Sequence, residues 1–222
     1  MSGLMIKDCM LLKRQGRYFI IVLVVACMMA FTGSENFSSF MTSYLTFMIT
    51  IFSFSSFSYD EYDNGMAYLM ALPSGRRNYV KAKYLFSILL ITAVWFLGCL
   101  LRMGLFLMRF SAADYLEILP TEPLYLLVCL IYVGGTFPAI LKYGAEKGRN
   151  IAFTVLAFLA IGIFMIDRFN PRIPVLRSVP AEIGQWLETS PLTVVFSLTA
   201  VCVLALTVSY LYAVRIMEKK EF

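Results

Sequence analysis

The residue types that most often carry out chemistry are scarce in this chain. It has no histidine, which removes the commonest general base and the commonest neutral metal ligand. Its five cysteines show no CxxC or metal-ligand spacing, so we expect neither a metal site nor a disulfide framework. Motifs such as HExxH and GxSxG are also missing from the sequence. We therefore predict no catalytic, cofactor-binding or metal-binding residue, and a membrane enzyme is disfavoured.

The nearest approach to a phosphate-binding loop is the stretch GAEKGRN at 144–150. A P-loop needs the order GxxxxGK[ST], because its backbone amides cradle the phosphates. The stretch lacks that order and fits a short turn better. Any ATP and Mg²⁺ would therefore have to be bound by a partner chain.

Composition points to the membrane. Of 222 residues, 60% are hydrophobic and 15% are charged, whereas soluble domains average about 45–50% apolar and about 25% charged residues. A chain of this length could not bury so much apolar surface beneath a polar exterior. We predict an all-α, polytopic membrane protein that forms one domain over residues 1–222. The net charge of +5 then reflects membrane topology, and no nucleic-acid partner is expected.

Apolar runs define the helices that must position any functional side chain. A transmembrane helix needs roughly 20 mostly apolar residues. Six transmembrane helices are predicted, at about 17–33, 37–58, 84–107, 123–141, 151–167 and 192–214. The first and fifth of these apolar runs are short, and the second is rich in hydroxyl groups.

Basic residues predict the orientation of these spans. Fourteen of the 19 lysines and arginines lie on the side that carries both termini, and four lie on the opposite side. Because cytoplasmic loops collect basic residues, both termini should be cytoplasmic. The segment 4–16 is amphipathic and fits an interfacial helix; an unstructured basic topology signal is the alternative.

Hydroxyl side chains recur along the second span at steps of four, three, four and three, which places them on one helical face. Small hydroxyl residues let membrane helices approach closely and hydrogen-bond to one another. They could equally line a substrate path or face a second subunit, and both interpretations stay open. The residues are Ser39, Ser43, Thr46, Thr50 and Ser53.

Arg102 lies near the outer end of the third span. Its side chain could snorkel to the interface, or it could contact an anionic lipid or a substrate group. In the fourth span, Gly134, Gly135 and Pro138 could mark a hinge or simply allow close packing.

Between the fifth and sixth spans, the external segment 169–191 is interrupted by prolines. Residues 181–188 within it fit an amphipathic helix on the outer interface, anchored by Trp186. Ile183 and Leu187 would join Trp186 on its apolar side. An ordered loop is the alternative.

The loop 59–83 is the most informative part of the sequence. Acidic residues at 60, 61 and 63 precede an Asn64-Gly65 turn signal, a short apolar run at 66–72 and a Pro73-Ser74-Gly75 break. A basic segment at 76–83 then leads into the third span. A short apolar helix framed by opposite charges could dock a soluble partner, and a solvated topology loop remains the alternative.

This loop resembles that of small ABC-2-type transporter permeases. Gly75 after Ser74 is a small departure, because many relatives carry a bulkier residue there. The six-span layout also matches, so the resemblance covers the whole chain. Within the family, the chain looks most like the permease subunits of bacterial amphipathic-peptide exporters of the phenol-soluble modulin type. The matching residues are Asp63-Asn64-Gly65, Leu72-Pro73, Arg76, Val80 and Lys83-Tyr84.

The resemblance implies a coupling helix at about 63–83 that docks into a cytoplasmic ABC ATPase, with 142–150 as a smaller second contact. An apolar anchor would include Tyr68 and Met70, with basic residues at the rim. The external segment would act as a gate. The residues assigned to ATPase coupling are Asp63, Gly65, Met66, Leu69, Leu72, Pro73, Arg76, Arg77 and Lys83.

The function implied is export of amphipathic or hydrophobic substrates, especially peptides, across the bacterial cytoplasmic membrane. This chain would bind no cofactor, while the ATPase would bind ATP and Mg²⁺. Membrane lipid and a second permease subunit, identical or homologous, would be its other partners. A non-transporting immunity or sensory protein, or a substrate-binding subunit of another transporter, is the alternative.

Overall fold

The computed structural model describes residues 2–32, 35–62, 65–71, 75–109, 122–169 and 191–220. Within these ranges all regular structure is helical, with no strand. In chain order the helices are α1 (Ser2–Arg14), α2 (Gly16–Thr32), α3 (Glu35–Glu61), α4 (Gly65–Ala71), α5 (Arg76–Arg109), α6 (Glu122–Tyr143), α7 (Ala145–Phe169) and α8 (Pro191–Lys219).

Four of these helices are long and apolar enough to cross a membrane: the stretches Phe40–Glu61, Arg76–Gly104, Glu122–Tyr143 and Thr193–Lys219. They confirm an all-helical protein with several candidate spans. In α2 the apolar stretch Gly16–Met28 is shorter than the other four. The predicted spans at 17–33 and 151–167 therefore stay predictions, as does the orientation of the termini.

The connection between α3 and α5 is shorter than the predicted loop 59–83. Helix α3 continues to Glu61, and α5 already begins at Arg76. Gly75, with φ of 70°, accepts the first hydrogen bond of α5 from the backbone amide of Tyr79. Glycine suits this left-handed conformation because it has no Cβ. The basic segment 76–83 is consequently part of α5 rather than of a loop.

The bundle is built around α3, α5 and α6. One cluster of buried side chains joins these three helices to α8, with Phe137 of α6 at its centre. The Phe137 ring meets those of Phe57 and Tyr84 edge-on, with centroids 4.8 and 4.9 Å apart. Such edge-to-face pairs add to the stabilisation from burial. Helix α2 packs on the side of α3, where Ala26 meets Met41 and other residues of a second, smaller cluster.

Contacts at the helix ends show that the long helices alternate in direction. The side chain of Gln15, between α1 and α2, contacts Tyr59 near the end of α3. The last residues of α8 contact the start of α5, and Lys220 contacts Leu141 near the end of α6. We call this side of the bundle, which carries α1 and the end of α8, the α1 end, and the opposite side the distal end.

At the α1 end, α6 turns tightly into α7. Gly144 has φ of 91° and donates its amide to the carbonyl of Ile140 at 2.8 Å. One turn later Gly148 lies against α6, so closely that a Cβ built on it would come within 2.4 Å of the Ile140 Cα atom. Position 148 therefore requires glycine, because the nearby backbone atoms of Ile140 and Ala139 could move aside only at a high cost in free energy.

We expect Gly148→Ala to destabilise the protein by about 1–3 kcal/mol, the range for overpacking a closely fitted site. Gly162→Ala is the matched control, because it lies on the same helix and its added Cβ meets nothing within 4 Å. Thermal unfolding of the purified protein in detergent measures both. Equal midpoints for the two variants would contradict the close approach of α6 and α7.

Candidate functional site

Charged side chains from three helices meet inside the α1 end. Asp8 lies on the face of α1 that packs against the bundle, and it is buried although its helix is largely exposed. Asp60 lies four residues after Ser56 on α3, and Lys83 lies four residues after Tyr79 on α5, so each pair shares a helical face. We call this group, together with Lys7, the Lys83 cluster: Lys7, Asp8, Ser56, Asp60, Tyr79 and Lys83.

Lys83 is the centre of the cluster. Its Nζ atom lies 2.9 Å from Asp8 Oδ1 and 2.7 Å from Asp60 Oδ2, and it also donates to the Ser56 hydroxyl. Ser56 donates to Asp8 Oδ1 at 2.8 Å, and Tyr79 donates to Asp60 Oδ2 at 2.8 Å. One ammonium therefore ties α1, α3 and α5 together.

The cluster balances its charge. Lys7 forms an ion pair with Asp60, so two ammonium groups face two carboxylates. The side chains of Lys83, Asp8 and Asp60 are at most 3% exposed, and the Phe57 ring lies 5.2 Å from Lys83 Nζ. Buried charges are tolerated when they are paired and hydrogen-bonded, and removing one partner leaves a costly unpaired charge. The arrangement is suited to holding helices together rather than to acid–base chemistry.

Helix α4 begins beside this cluster. A Cβ on Gly65 would lie 2.9 Å from the carbonyl oxygen of Asp60, so α4 begins against the last turn of α3. Met66 is buried and Leu69 packs partly against the core, while Tyr68 is 73% exposed. The predicted apolar anchor thus divides into residues that face the chain's own core and one that points outward. Asp63, Leu72 and Pro73 lie outside the described residues.

The predicted rim residues contact the end of α8. Arg76 donates to the backbone carbonyl of Glu218 at 2.7 Å, and Arg77 forms an ion pair with the Glu218 side chain. Cations at a helix C-terminus satisfy its last carbonyls and oppose its dipole. Lys220 in turn donates to the Leu141 carbonyl of α6 at 2.9 Å. The start of α5 and the ends of α6 and α8 are thereby connected.

A second ion pair lies toward the distal end. Arg102 of α5 is 0% exposed and pairs with Glu122, the first residue of α6. The indole nitrogen of Trp95 donates to the Glu122 carbonyl at 3.0 Å. The sequence leaves open whether Arg102 snorkels to the interface or contacts an anionic lipid or substrate group. In the structure its side chain is buried, and a carboxylate of the same chain compensates its charge.

The hydroxyl face of α3 is mostly turned inward. Thr46, Thr50 and Ser53 are buried and donate to backbone carbonyls of their own helix at 2.7–2.9 Å. This local bonding satisfies a hydroxyl without a partner on another helix. Only part of the face is open, because Ser43 lines a cleft between α3 and α6. The burial of Thr46, Thr50 and Ser53 favours the packing interpretation of this face. The side chain of Ser39 lies outside the described part of the structure.

The sequence does not indicate three of the ion-paired side chains as partners: Asp8, Asp60 and Glu122. Two of them carry a weak sequence signal. Asp8 is the only acidic residue in α1, and Glu122 stands directly before an apolar run. Neither signal names the partner, because the partners come from other helices. The predicted gate residues Ile183, Trp186 and Leu187 lie outside the described residues.

For the Lys83 cluster, we expect Lys83→Met to lower the free energy of unfolding by about 3–5 kcal/mol, because two buried carboxylates lose their shared counter-charge. Lys81→Met, at an exposed position on the same helix, should have little effect. Adding Asp8→Asn to Lys83→Met restores charge balance and should recover part of the loss. Denaturation of the three purified variants tests this, and a double variant no more stable than Lys83→Met would refute the charge argument.

For the distal pair, Glu122→Gln leaves the Arg102 charge uncompensated, and we expect a loss of about 3–5 kcal/mol. The exchanged pair, Arg102→Glu with Glu122→Arg, should be more stable than either single substitution. Unfolding midpoints in detergent decide between the outcomes. Were the exchanged pair as unstable as the worse single variant, the interaction would depend on geometry that the exchange does not preserve.

Comparison with known proteins adds one finding. The model of the ABC-2 family transporter protein matches residues 3–218, which runs from the start of α1 to the last turn of α8. No curated protein and no solved structure gives a significant match. Both ion-pair clusters fall within the matched range, and so do the helices apart from the terminal residues Ser2 and Lys219. The chain therefore belongs to the ABC-2 family of transporter proteins.

Proposed function

We propose that this protein is the permease subunit of an ATP-binding-cassette exporter that moves amphipathic or hydrophobic substrates, particularly peptides, out of a bacterial cell. The family match over residues 3–218 is the observation that carries the proposal, since members of this family generally work with an ATPase subunit. ATP and Mg²⁺ would be bound by that subunit. The permease would be a non-catalytic membrane component.

In this proposal the α1 end is cytoplasmic and the chain crosses the cytoplasmic membrane six times. The four candidate spans and the alternating helix directions support the layout. The excess of basic residues on the side of the termini supports the orientation. Helices α2 and α7 would complete the six spans.

Helix α4 would be the element that receives force from the ATPase. Its exposed Tyr68 offers an aromatic contact of the kind enriched at protein interfaces. Movement of α4 would pass to α3, because Gly65 lies against the Asp60 carbonyl. It would then pass to α1 and α5 through the side chains of Asp60 and Lys83. The path consists of a contiguous series of packed and ion-paired groups.

Substrate and a second permease subunit would meet the flanks of the bundle. Helices α2, α7 and α8 expose many apolar side chains, among them Ile21, Phe158 and Leu204. Between α3 and α6, an apolar cleft of about 300 Å³ is lined by Phe40, Ser43 and Tyr44 together with residues of α6. Its aromatic walls, with the hydroxyl groups of Ser43, Tyr44 and Tyr125, suit an amphipathic chain. Pairing of two subunits over this side would enclose the cleft.

We expect Tyr68→Asp to abolish co-purification of the ATPase and reduce transport at least tenfold, because a buried interface aromatic contributes 2 kcal/mol or more by the usual range. Tyr68→Phe is the matched control and should retain association, since it keeps the ring. Pull-down of the ATPase with tagged permease, followed by export measured in membrane vesicles, gives both quantities.

Tyr68 is the suitable position for this test because its side chain is exposed. Leu69 and Arg76 contact the chain's own core and the end of α8, so their substitution would disturb folding as well as docking. Tyr68→Asp should leave the unfolding midpoint near that of the unsubstituted protein. Full ATPase association and export by a stable Tyr68→Asp protein would show that α4 is not the coupling element.

A further inference from the structure

A polar pocket lies at the α1 end, and no residue of α4 lines it. It has a volume of about 330 Å³ and opens where the junction of α1 and α2, the end of α3 and the first turns of α7 come together. Neither the ion-pair clusters nor the proposed coupling contact includes it. Its lining residues are Gln15, Ser55, Ser58, Tyr59, Tyr62 and Arg149.

The pocket has one cationic side chain in its lining and two more close by in the chain. Arg149 contributes a guanidinium group to the lining, and the exposed Arg14 and Arg17 lie within two residues of Gln15. None of these three arginines takes part in an ion pair among the described residues. The neighbouring carboxylates are turned elsewhere, since Glu61 accepts the Ala145 amide at 2.7 Å and Asp60 belongs to the Lys83 cluster. The exposed Glu146 lies three residues before Arg149 on α7 and forms no ion pair among the described residues. Arg14, Arg17 and Arg149 therefore outnumber the acids of this region that are not already hydrogen-bonded or ion-paired.

The walls of the pocket are held in place by hydrogen bonds. Ser55 lies 3.2 Å from Gln15 Oε1, and Gln15 Nε2 donates to the Tyr59 hydroxyl at 3.3 Å. The Gln15 amide is thus fixed across the break between α1 and α2, and the Ser58 and Tyr62 side chains complete the wall. The hydroxyl groups of Ser58, Tyr59 and Tyr62 donate no hydrogen bond among the described residues, and together with the Arg149 guanidinium they match the oxygens of a phosphate group.

Two helices lead away from the pocket with apolar side chains on their surfaces. On α2 these include Ile20 and Ile21, and on α7 they include Ile151 and Val155, all more than one-third exposed. A ligand that places a phosphate at Arg149 and lays hydrocarbon along these helices would satisfy both surfaces. An anionic phospholipid has this division between headgroup and acyl chains, and basic pockets between membrane helices are known to bind such headgroups.

We propose that this pocket binds the phosphate of an anionic phospholipid in the leaflet at the α1 end. The Arg149 guanidinium, the hydroxyl groups of the wall and the adjoining apolar helices each contribute to the choice of ligand. Soluble phosphoesters share the headgroup chemistry but lack the acyl chains. The site requires neither the ATPase nor transport, so its test is independent of the proposed function.

The experiment uses the purified full chain in neutral detergent. Dioctanoyl phosphatidylglycerol is the probe, dioctanoyl phosphatidylcholine tests the need for net negative charge, and glycerol 3-phosphate tests the need for acyl chains. Bound probe is counted by native mass spectrometry, and affinity is obtained from the rise in unfolding midpoint with probe concentration, since a ligand that binds only the folded state stabilises it. The variants are Arg149→Gln, the charge-preserving Arg149→Lys, and Lys147→Gln as an exposed basic control on the same helix.

We expect phosphatidylglycerol to bind the unsubstituted protein and Lys147→Gln equally, and Arg149→Gln about tenfold more weakly, which corresponds to about 1.4 kcal/mol. Arg149→Lys should fall between them, and it provides a folded comparison if Arg149→Gln is unstable. Equal binding by all variants would overturn the site. Glycerol 3-phosphate binding as tightly as the lipid would overturn the lipid assignment, and so would an Arg149→Gln protein that loses only ATPase association.

Discussion

The burial of one ammonium group organises the α1 end of this protein. Lys83 cannot be buried alone, because an unpaired charge in an apolar interior is strongly unfavourable. It is compensated by Asp8 from α1 and Asp60 from α3, which must then approach α5 within hydrogen-bonding distance. The short helix α4 begins against the same turn of α3. The element proposed to meet the ATPase therefore begins beside Asp60, one of the two residues that compensate the charge of Lys83.

Helix α5 is held by ion pairs toward both ends and by apolar contacts between them. Near its start, Lys83 joins it to α1 and α3; further along, Arg102 joins it to α6 through Glu122. Ion pairs in a water-poor environment are sensitive to separation, because a separated charge has no solvent to replace its partner. Apolar surfaces can slide at lower cost. In the proposed exporter, α5 would thus move as one body and carry a displacement at α4 toward the distal end.

The apolar run between α3 and α5 shows which properties of a helix its sequence pattern can and cannot predict. Its composition indicated a short helix with an apolar surface, and α4 is such a helix. It could not separate Met66, which enters the chain's own core, from Tyr68, which faces outward. Both residues are apolar enough for either environment, so the neighbouring helices decide. The same holds for the hydroxyl face of α3, where the packing of α5 and α6 determined that Thr46 and Thr50 are buried while Ser43 remains beside a cleft.

Consecutive residues are enough to indicate a helical membrane protein that resembles ABC-2 permeases. Those properties depend on local hydropathy, on composition and on a short motif around Gly65, all of which are visible in consecutive residues. The tertiary structure decided which charges neutralise one another and where α3 and α5 end and begin. Asp8 and Lys83 are separated by 75 positions in the chain, and Arg102 pairs with Glu122 from the next helix. Charge compensation depends on the distance between charged groups in the folded chain, and a local sequence pattern does not contain that distance.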